Sequence, residues 1–204
     1  MDRYKIAIVV GSLRKDSINR KIAKSLCAMS HERLDCDIVP IDDLPLYNQD
    51  YDADSPPQYG RFREAIAAAD GVLFVTPEYN RGVPGVLKNA VDVGSRPYGK
   101  SVWNQKPAAI VSASPGSIGG FGANHQLRQA AVFLNMPVMQ HPEAYLSRVG
   151  DDSFDADGCL KEGPLKEIIK GLAQAFHDWV EMIHRSRQLL AEDSAHREKE
   201  RAHA

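Results

Sequence analysis

Two kinds of apolar segment alternate along this chain. Residues 6–10, Gly71–Thr76 and residues 107–113 are short, unbroken apolar runs, the pattern of strands buried on both faces of a parallel sheet. Between them the period changes to that of a helix. Ile18, Ile22, Leu26 and Met29, widened by Ala23 and Cys27, predict one helix. Phe62, Ala65, Ile66 and Ala69 predict a second over residues 61–69, and Val86, Leu87, Ala90 and Val91 a third over residues 84–93, with Pro84 in a first turn that needs no N–H. Leu127, Ala130, Ala131 and Leu134 predict a fourth. A last helix starts near Pro164 and keeps its apolar period to Ile183, about five turns. Residues 36–39, ended by Pro40, predict a second strand, and residues 136–139 a short fifth one with residues 145–149 pairing at its edge. Strands alternating with helices imply one parallel sheet covered on both faces by right-handed crossovers.

The polar segments fall into place around this frame. Three loops follow strand carboxyl ends: residues 11–19, 77–85 and 114–120. Residues 41–59 form a polar, proline-bearing loop of unusual length, expected to pack back over the domain rather than to meet a ligand. Beyond His184 only Leu189 and Leu190 are apolar, so residues 1–184 are expected to form the domain. Residues 185–204 are expected to form a charged tail, either a helical extension or disordered.

Length and charge narrow the classes. With 204 residues the chain fits a single core. A formal net charge of -2 predicts neither nucleic acid nor an anionic membrane as partner. No apolar run approaches the roughly 18 residues of a membrane span, and the start, Met-Asp-Arg followed at once by a strand pattern, has no signal-peptide architecture. Cys27, Cys36 and Cys159 are odd in number and show no metal-ligand spacing, nor do His125, His141 and His177, so a cytoplasmic protein without a metal is expected.

In an open α/β sheet ligands bind outside the carboxyl ends of the strands, where all three loops lie. The first, Gly11-Ser12-Leu13-Arg14-Lys15-Asp16-Ser17-Ile18-Asn19, joins a strand to a helix amino end, whose free N–H groups and dipole favour an anion. Ser12 and Ser17 add hydroxyls, Asn19 an amide and Arg14 a guanidinium. Taken alone these residues read equally as an ordinary connection with Ser17 as N-cap. Neither the dinucleotide pattern GxGxxG nor the P-loop pattern GxxxxGK[ST] is present. There is no cysteine inside the loop to act as a nucleophile, and no carboxylate at a central strand end to accept a phosphoryl group. The site is therefore suited to holding a phosphate, not to transferring it. The other two loops are rich in Gly and Pro, with Glu78 their single acid and Arg81 their single base. Backbone groups are their main polar lining, which suits a flat heterocycle; Tyr79 either lies on such a ring or packs on its neighbours. The chemistry would then be a cofactor's, with the protein supplying orientation and electrostatics.

These residues carry a resemblance. Gly11-Ser12-Leu13-Arg14 with Ser17 and Asn19, then Thr76-Pro77-Glu78-Tyr79-Asn80 running into Val83-Pro84-Gly85-Val86-Leu87-Lys88-Asn89-Ala90-Val91-Asp92, then Gly119-Gly120 with Leu127-Arg128, resemble the NADPH-dependent FMN reductase family, in its quinone and chromate reductase branch. The second motif is the most specific, and the resemblance covers about residues 4–183. It implies a flavodoxin-like three-layer fold, a five-stranded parallel sheet in the order 2-1-3-4-5, noncovalent FMN, and NADPH or NADH as donor. It also implies ping-pong transfer of two electrons to a quinone or a similar acceptor (chromate, azo or other xenobiotic). By position, Ser12, Arg14, Ser17, Ile18 and Asn19 would hold the FMN phosphate. Pro77, Glu78, Tyr79, Asn80 and Arg81 would line one edge of the flavin, and Ser114, Gly116 and Gly119 the other. The family implies a homodimer or homotetramer in which Arg81 and the helix from Pro84 meet a neighbouring subunit. No side chain is implied as a catalytic group. A departure lies at Gly122 and His125, where the chromate-reducing relatives carry an arginine and a tyrosine. A flavin-binding electron carrier without its own NAD(P)H oxidation is the alternative reading.

Overall fold

A computed structural model describes residues 3–30 and 32–202. Five parallel strands, β1 (Tyr4–Val10), β2 (Leu34–Ile38), β3 (Gly71–Thr76), β4 (Ala108–Ala113) and β5 (Ala144–Leu146), form one sheet in the order β2-β1-β3-β4-β5. The helices are α1 (Ile18–Ser30), α2 (Pro57–Ala67), α3 (Gly85–Ser95), α4 (Phe121–Phe133) and α5 (Pro164–Ala202). The strand and helix periods imply a parallel sheet between helices, and the order is the flavodoxin-like one that the family resemblance implies.

Strand alternation divides the core in two. Ile6, Ile8 and Val10 of β1, Leu73 and Val75 of β3 and Val111 of β4 face α1 and α5, whose Ile22, Leu26, Ile169, Leu172, Phe176 and Val180 cover them. Ala7, Val9, Val72, Phe74 and Ile110 face the opposite way, onto Phe62 and Ile66 of α2, Leu87 and Ala90 of α3 and Leu127 and Ala131 of α4. Because β3 and β4 are buried at every position, they read in the sequence as continuous apolar runs. The edge strand β2 alternates instead, with Asp35 and Asp37 outward.

The fifth strand is not where the sequence places it. Residues 136–139 touch the sheet through one bridge, Val138 beside Ala108, and two hydrogen bonds: Ala108 N–H to the Pro137 carbonyl at 3.0 Å and Met139 N–H to the Ala108 carbonyl at 2.7 Å. Pro137 and Pro142 have no N–H to offer a ladder. The regular pairing forms further along, with Ala144, Tyr145 and Leu146 opposite Val111, Ser112 and Ala113. This brings β5 to the carboxyl end of β4. Other boundaries move too: β2 spans Leu34–Ile38 rather than 36–39, α2 begins at Pro57 rather than at 61, and the residues before the fourth apolar stripe, from Phe121, are already helical.

The long loop packs over the domain as expected. Leu44 is buried, the Tyr47 N–H donates to Oδ1 of Asn89 at 2.7 Å, and the Tyr59 hydroxyl donates to the Leu46 carbonyl at 2.8 Å. The last helix runs past residue 184 without a break, about 58 Å in all. His184 reaches the Asp70 carbonyl at 3.0 Å and Arg187 the Gln105 carbonyl, both at the amino-terminal edge of the sheet. Residues 188–199 are exposed, and residues 203 and 204 of the expected tail lie outside the described residues.

Candidate functional site

The predicted site residues lie on the three loops at the carboxyl edge of the sheet and, for Ile18 and Asn19, in the first turn of α1. The first leaves β1 with the Gly11 N–H bonded to the Val75 carbonyl at 2.8 Å, then turns into α1. Ser12, Ser17 and Asn19 are buried, whereas Leu13, Arg14, Lys15 and Asp16 are exposed around them. Ser17 does act as an N-cap: its Oγ accepts from the Arg20 N–H at 3.2 Å, which leaves its O–H free to donate. Ile18, half-buried, opens the helix. Asn19 has a second role that sequence reasoning missed. Its Nδ2 donates to the Ala113 carbonyl at 3.2 Å, tying α1 to the end of β4, while its buried Oδ1 has no partner. Such an oxygen costs about 1–3 kcal/mol unless a donor reaches it.

The second loop is a tight hairpin. Tyr79 and Gly82 exchange N–H···O bonds of 3.1 and 2.9 Å, and Asn80 and Arg81 between them have φ of 50° and 65°, as a type I′ turn requires. Pro77 is half-buried at its start. Tyr79 is 52% exposed. Glu78 turns inward: its side chain is 12% exposed, its carboxylate accepts from the Ala123 N–H at 3.1 Å, and Arg81 pairs with it at 3.5 Å. The amino end of α4, whose N-cap Gly120 has no side chain, thus takes its capping acceptor from a loop 45 residues earlier.

The third loop rests on β5. The Ser114 N–H donates to the Leu146 carbonyl, and the N–H groups of Arg148 and Val149 donate to the carbonyls of Gly116 and Ser114, at 3.0–3.1 Å. The Ser114 hydroxyl accepts from the Gly116 N–H at 3.1 Å, leaving Gly116 exposed at the tip. Gly119 has φ of 64°, and a Cβ there would sit 2.6 Å from the carbonyl carbon and oxygen of Tyr145, so the position admits glycine alone. Behind it Asn124, fully buried, donates to the Ile110 carbonyl at 3.2 Å and accepts from Arg128 Nε at 3.0 Å.

The departure at Gly122 has a steric reason. A Cβ there would lie 2.7 Å from the Arg81 carbonyl oxygen and 2.8 Å from Oε2 of Glu78, so in this chain the second loop closes onto α4 in the space a side chain would need. Elsewhere, His177, Asp178 and Glu181 bring ligand-type atoms within 4.8 Å of one another on α5. They are satisfied among themselves and their neighbours: His177 Nδ1 pairs with Asp178 at 2.9 Å and Glu181 with Arg185 at 2.6 Å.

The description of NADPH-dependent FMN reductase matches residues 4–151, more than half of the chain. The chain belongs to the NADPH-dependent FMN reductase family. Among its relatives, a quinone reductase of Pseudomonas putida is 54% identical over 180 residues, covering 88% of this chain and 96% of the relative. A 2-hydroxy-1,4-benzoquinone reductase of Burkholderia is 44% identical, covering 86% and 96%. Among solved structures, FerB, a flavoenzyme NAD(P)H:(acceptor) oxidoreductase from Paracoccus denitrificans, superposes with a TM-score of 0.83 at 40% identity, covering 88% of this chain and 98% of that one. In this family setting the three converging loops are the candidate active site.

Proposed function

We propose that the protein is an FMN-dependent NAD(P)H oxidoreductase that passes two electrons to a quinone-like acceptor. The observation that carries this reading is the convergence, at one sheet edge, of a donor-rich cradle with two loops lined mainly by backbone. The residues fit FMN. Ser12, Arg14, Ser17 and the N–H groups at Ile18 and Asn19 supply donors for a phosphate, and the unpartnered Oδ1 of Asn19 calls for a donor, which the hydroxyls of a ribityl chain provide. Pro77, Glu78, Tyr79, Asn80 and Arg81 line one edge of the ring and Ser114, Gly116 and Gly119 the other.

When bound, FMN takes up a hydride equivalent from NADPH or NADH and gives two electrons to the acceptor. The residues of this chain orient, anchor and polarise. The Glu78 tie to α4 and the Ser114 contacts with β5 hold the two framing loops at a fixed separation, so their N–H donors are aimed before any charge develops. Tyr79, exposed at the hairpin, offers an aromatic face at the mouth. Donor and acceptor use the same opening in turn, a ping-pong scheme. Initial rates with donor and quinone both varied are expected to give parallel double-reciprocal lines; intersecting lines would contradict shared occupancy.

The working unit is a homo-oligomer. Val132 and Phe133 of α4 and Tyr98 are 79%, 80% and 84% exposed, and a groove of about 310 Å³ between α3 and α4 is lined by Val83, Val91, Leu127, Ala130 and Phe133 with Lys88, Gln126 and Gln129 among them. A partly apolar face of this kind, with large exposed apolar side chains beside it, fits a second copy of the chain. Residues 1–184 make the FMN-binding unit, and residues 185–202 a charged helical extension. None of the described helices is long and apolar enough to cross a membrane. Three free thiols, Cys27, Cys36 and Cys159, suit a reducing cytoplasm.

A further inference from the structure

Beside the Gly119–Gly120 turn lies a chain of three hydrogen-bonded side chains that cofactor binding leaves unused. Tyr145 of β5 donates its phenol O–H to Oε1 of Glu143 at 3.0 Å, and Nε2 of His125 on α4 lies 2.9 Å from the same phenol oxygen. A phenol has one proton, and Glu143 takes it. The hydrogen in the second contact must therefore come from the imidazole, which fixes neutral His125 as the Nε2–H tautomer and leaves Nδ1 as its free proton site. When the ring takes a second proton, Nδ1 becomes a donor as well.

The ring is held in place as well as polarised. Phe121, one turn earlier on α4, packs its tilted ring against His125 and Tyr145, with ring centroids 4.1 and 5.1 Å away. His125 is exposed, and its helix start is bound to both framing loops, through Glu78 to Ala123 on one side and through the close approach of Gly119 to Tyr145 on the other. The charged groups set against this chain are Glu143, just before β5, and Arg128, one turn further along α4, both acting on Tyr145. Burial first, and then the bond to Glu143, raise the Tyr145 phenol above its ordinary range, so it remains protonated and keeps donating.

We infer that His125 is the proton donor to the carbonyl oxygen of the quinone-like acceptor, with Tyr145 and Glu143 as its positioning residues. This rests on the reading of the protein as a two-electron quinone reductase. The acceptor takes one hydride from the reduced cofactor and one proton from His125 Nδ1, so its two C=O groups become two C–OH groups. The imidazole returns to its neutral form and recovers a proton from water. Aromatic side chains at the rim suit a flat acceptor, and an added proton at the oxygen is what distinguishes quinone reduction from bare electron transfer.

The test is rapid mixing of the reduced, FMN-loaded full chain with a benzoquinone and, separately, with ferricyanide, which takes electrons without a proton. For His125→Gln the ratio of quinone rate to ferricyanide rate is expected to fall about 100-fold. Tyr145→Phe, which keeps the imidazole but cuts its link to Glu143, is expected to lower the ratio by a smaller factor. A readout independent of turnover is the 15N spectrum of the histidines, in which neutral His125 is expected as the Nε2–H tautomer in the wild type and as a mixture in Tyr145→Phe. An unchanged ratio in His125→Gln, an equal loss with both acceptors, or an Nδ1–H tautomer in the wild type would overturn the assignment. A protein whose flavin is not reduced by NAD(P)H at all would instead overturn the parent reading, and the spectrum would still report on the hydrogen-bonded chain.

Discussion

Arg14 shows how a side chain can be legible in the sequence and still need the structure to explain its role. It is exposed, pairs with no carboxylate among the described residues, and sits between buried Ser12 and the helix capped by Ser17. An exposed guanidinium beside a helix amino end has an anion as its natural partner. Arg14→Ala is expected to weaken FMN binding by about 1.5–3 kcal/mol, the scale of a charge-assisted hydrogen bond, read by titrating apoprotein with FMN; full retention at dilute protein would show that the phosphate lies elsewhere. The capping role of Ser17 and the backbone freedom needed at Gly119 were readable because caps and tight turns select few residue types. Asn19 and Glu78 were half readable. The sequence indicates that each lies at the site, but the tie from Asn19 to Ala113 and the tie from Glu78 to Ala123 span 94 and 45 residues, distances at which local pattern carries no information.

At the scale of elements, the helices were legible wherever an apolar stripe met a core, as in α1, α3 and the first half of α5. The fifth strand was not. Its three residues are too few for a period to show, and the competing stretch 136–139 looks more strand-like because Met136, Val138 and Met139 are apolar. What secures β5 and α4 is a polar device that alternation cannot reveal. Asn124, 0% exposed, bonds to β4 and holds Arg128, which in turn donates to the Met139 carbonyl at 3.1 Å. Asn124→Ala leaves the Ile110 carbonyl and Arg128 Nε without this partner, so a loss of about 2–3 kcal/mol is expected in urea unfolding with an unchanged slope. A variant as stable as the wild type would mean that the network adds nothing to the seating of α4.

The whole molecule combines a rigid sheet edge with two features that go beyond a single domain. Val132 and Phe133 stand exposed on α4, on the face proposed above for a second copy. Phe133→Glu is expected to halve the mass measured by light scattering on a sizing column if the protein is a dimer, while an unchanged mass would move the interface elsewhere. The helix beyond Arg187 leaves from the opposite, amino-terminal edge of the sheet, so its charged residues stand away from the three loops. The central claim is that these loops hold FMN and present it to both a nicotinamide donor and a quinone. The most direct measurement is the visible spectrum of the purified, FMN-loaded protein under anaerobic conditions, recorded before and after one equivalent of NADPH and again after a quinone. The flavin band is expected to bleach with the donor and return with the acceptor. A band left unbleached by both NADPH and NADH would make the protein a flavin carrier without its own donor reaction, and a chain that does not bind FMN at all would contradict the site itself.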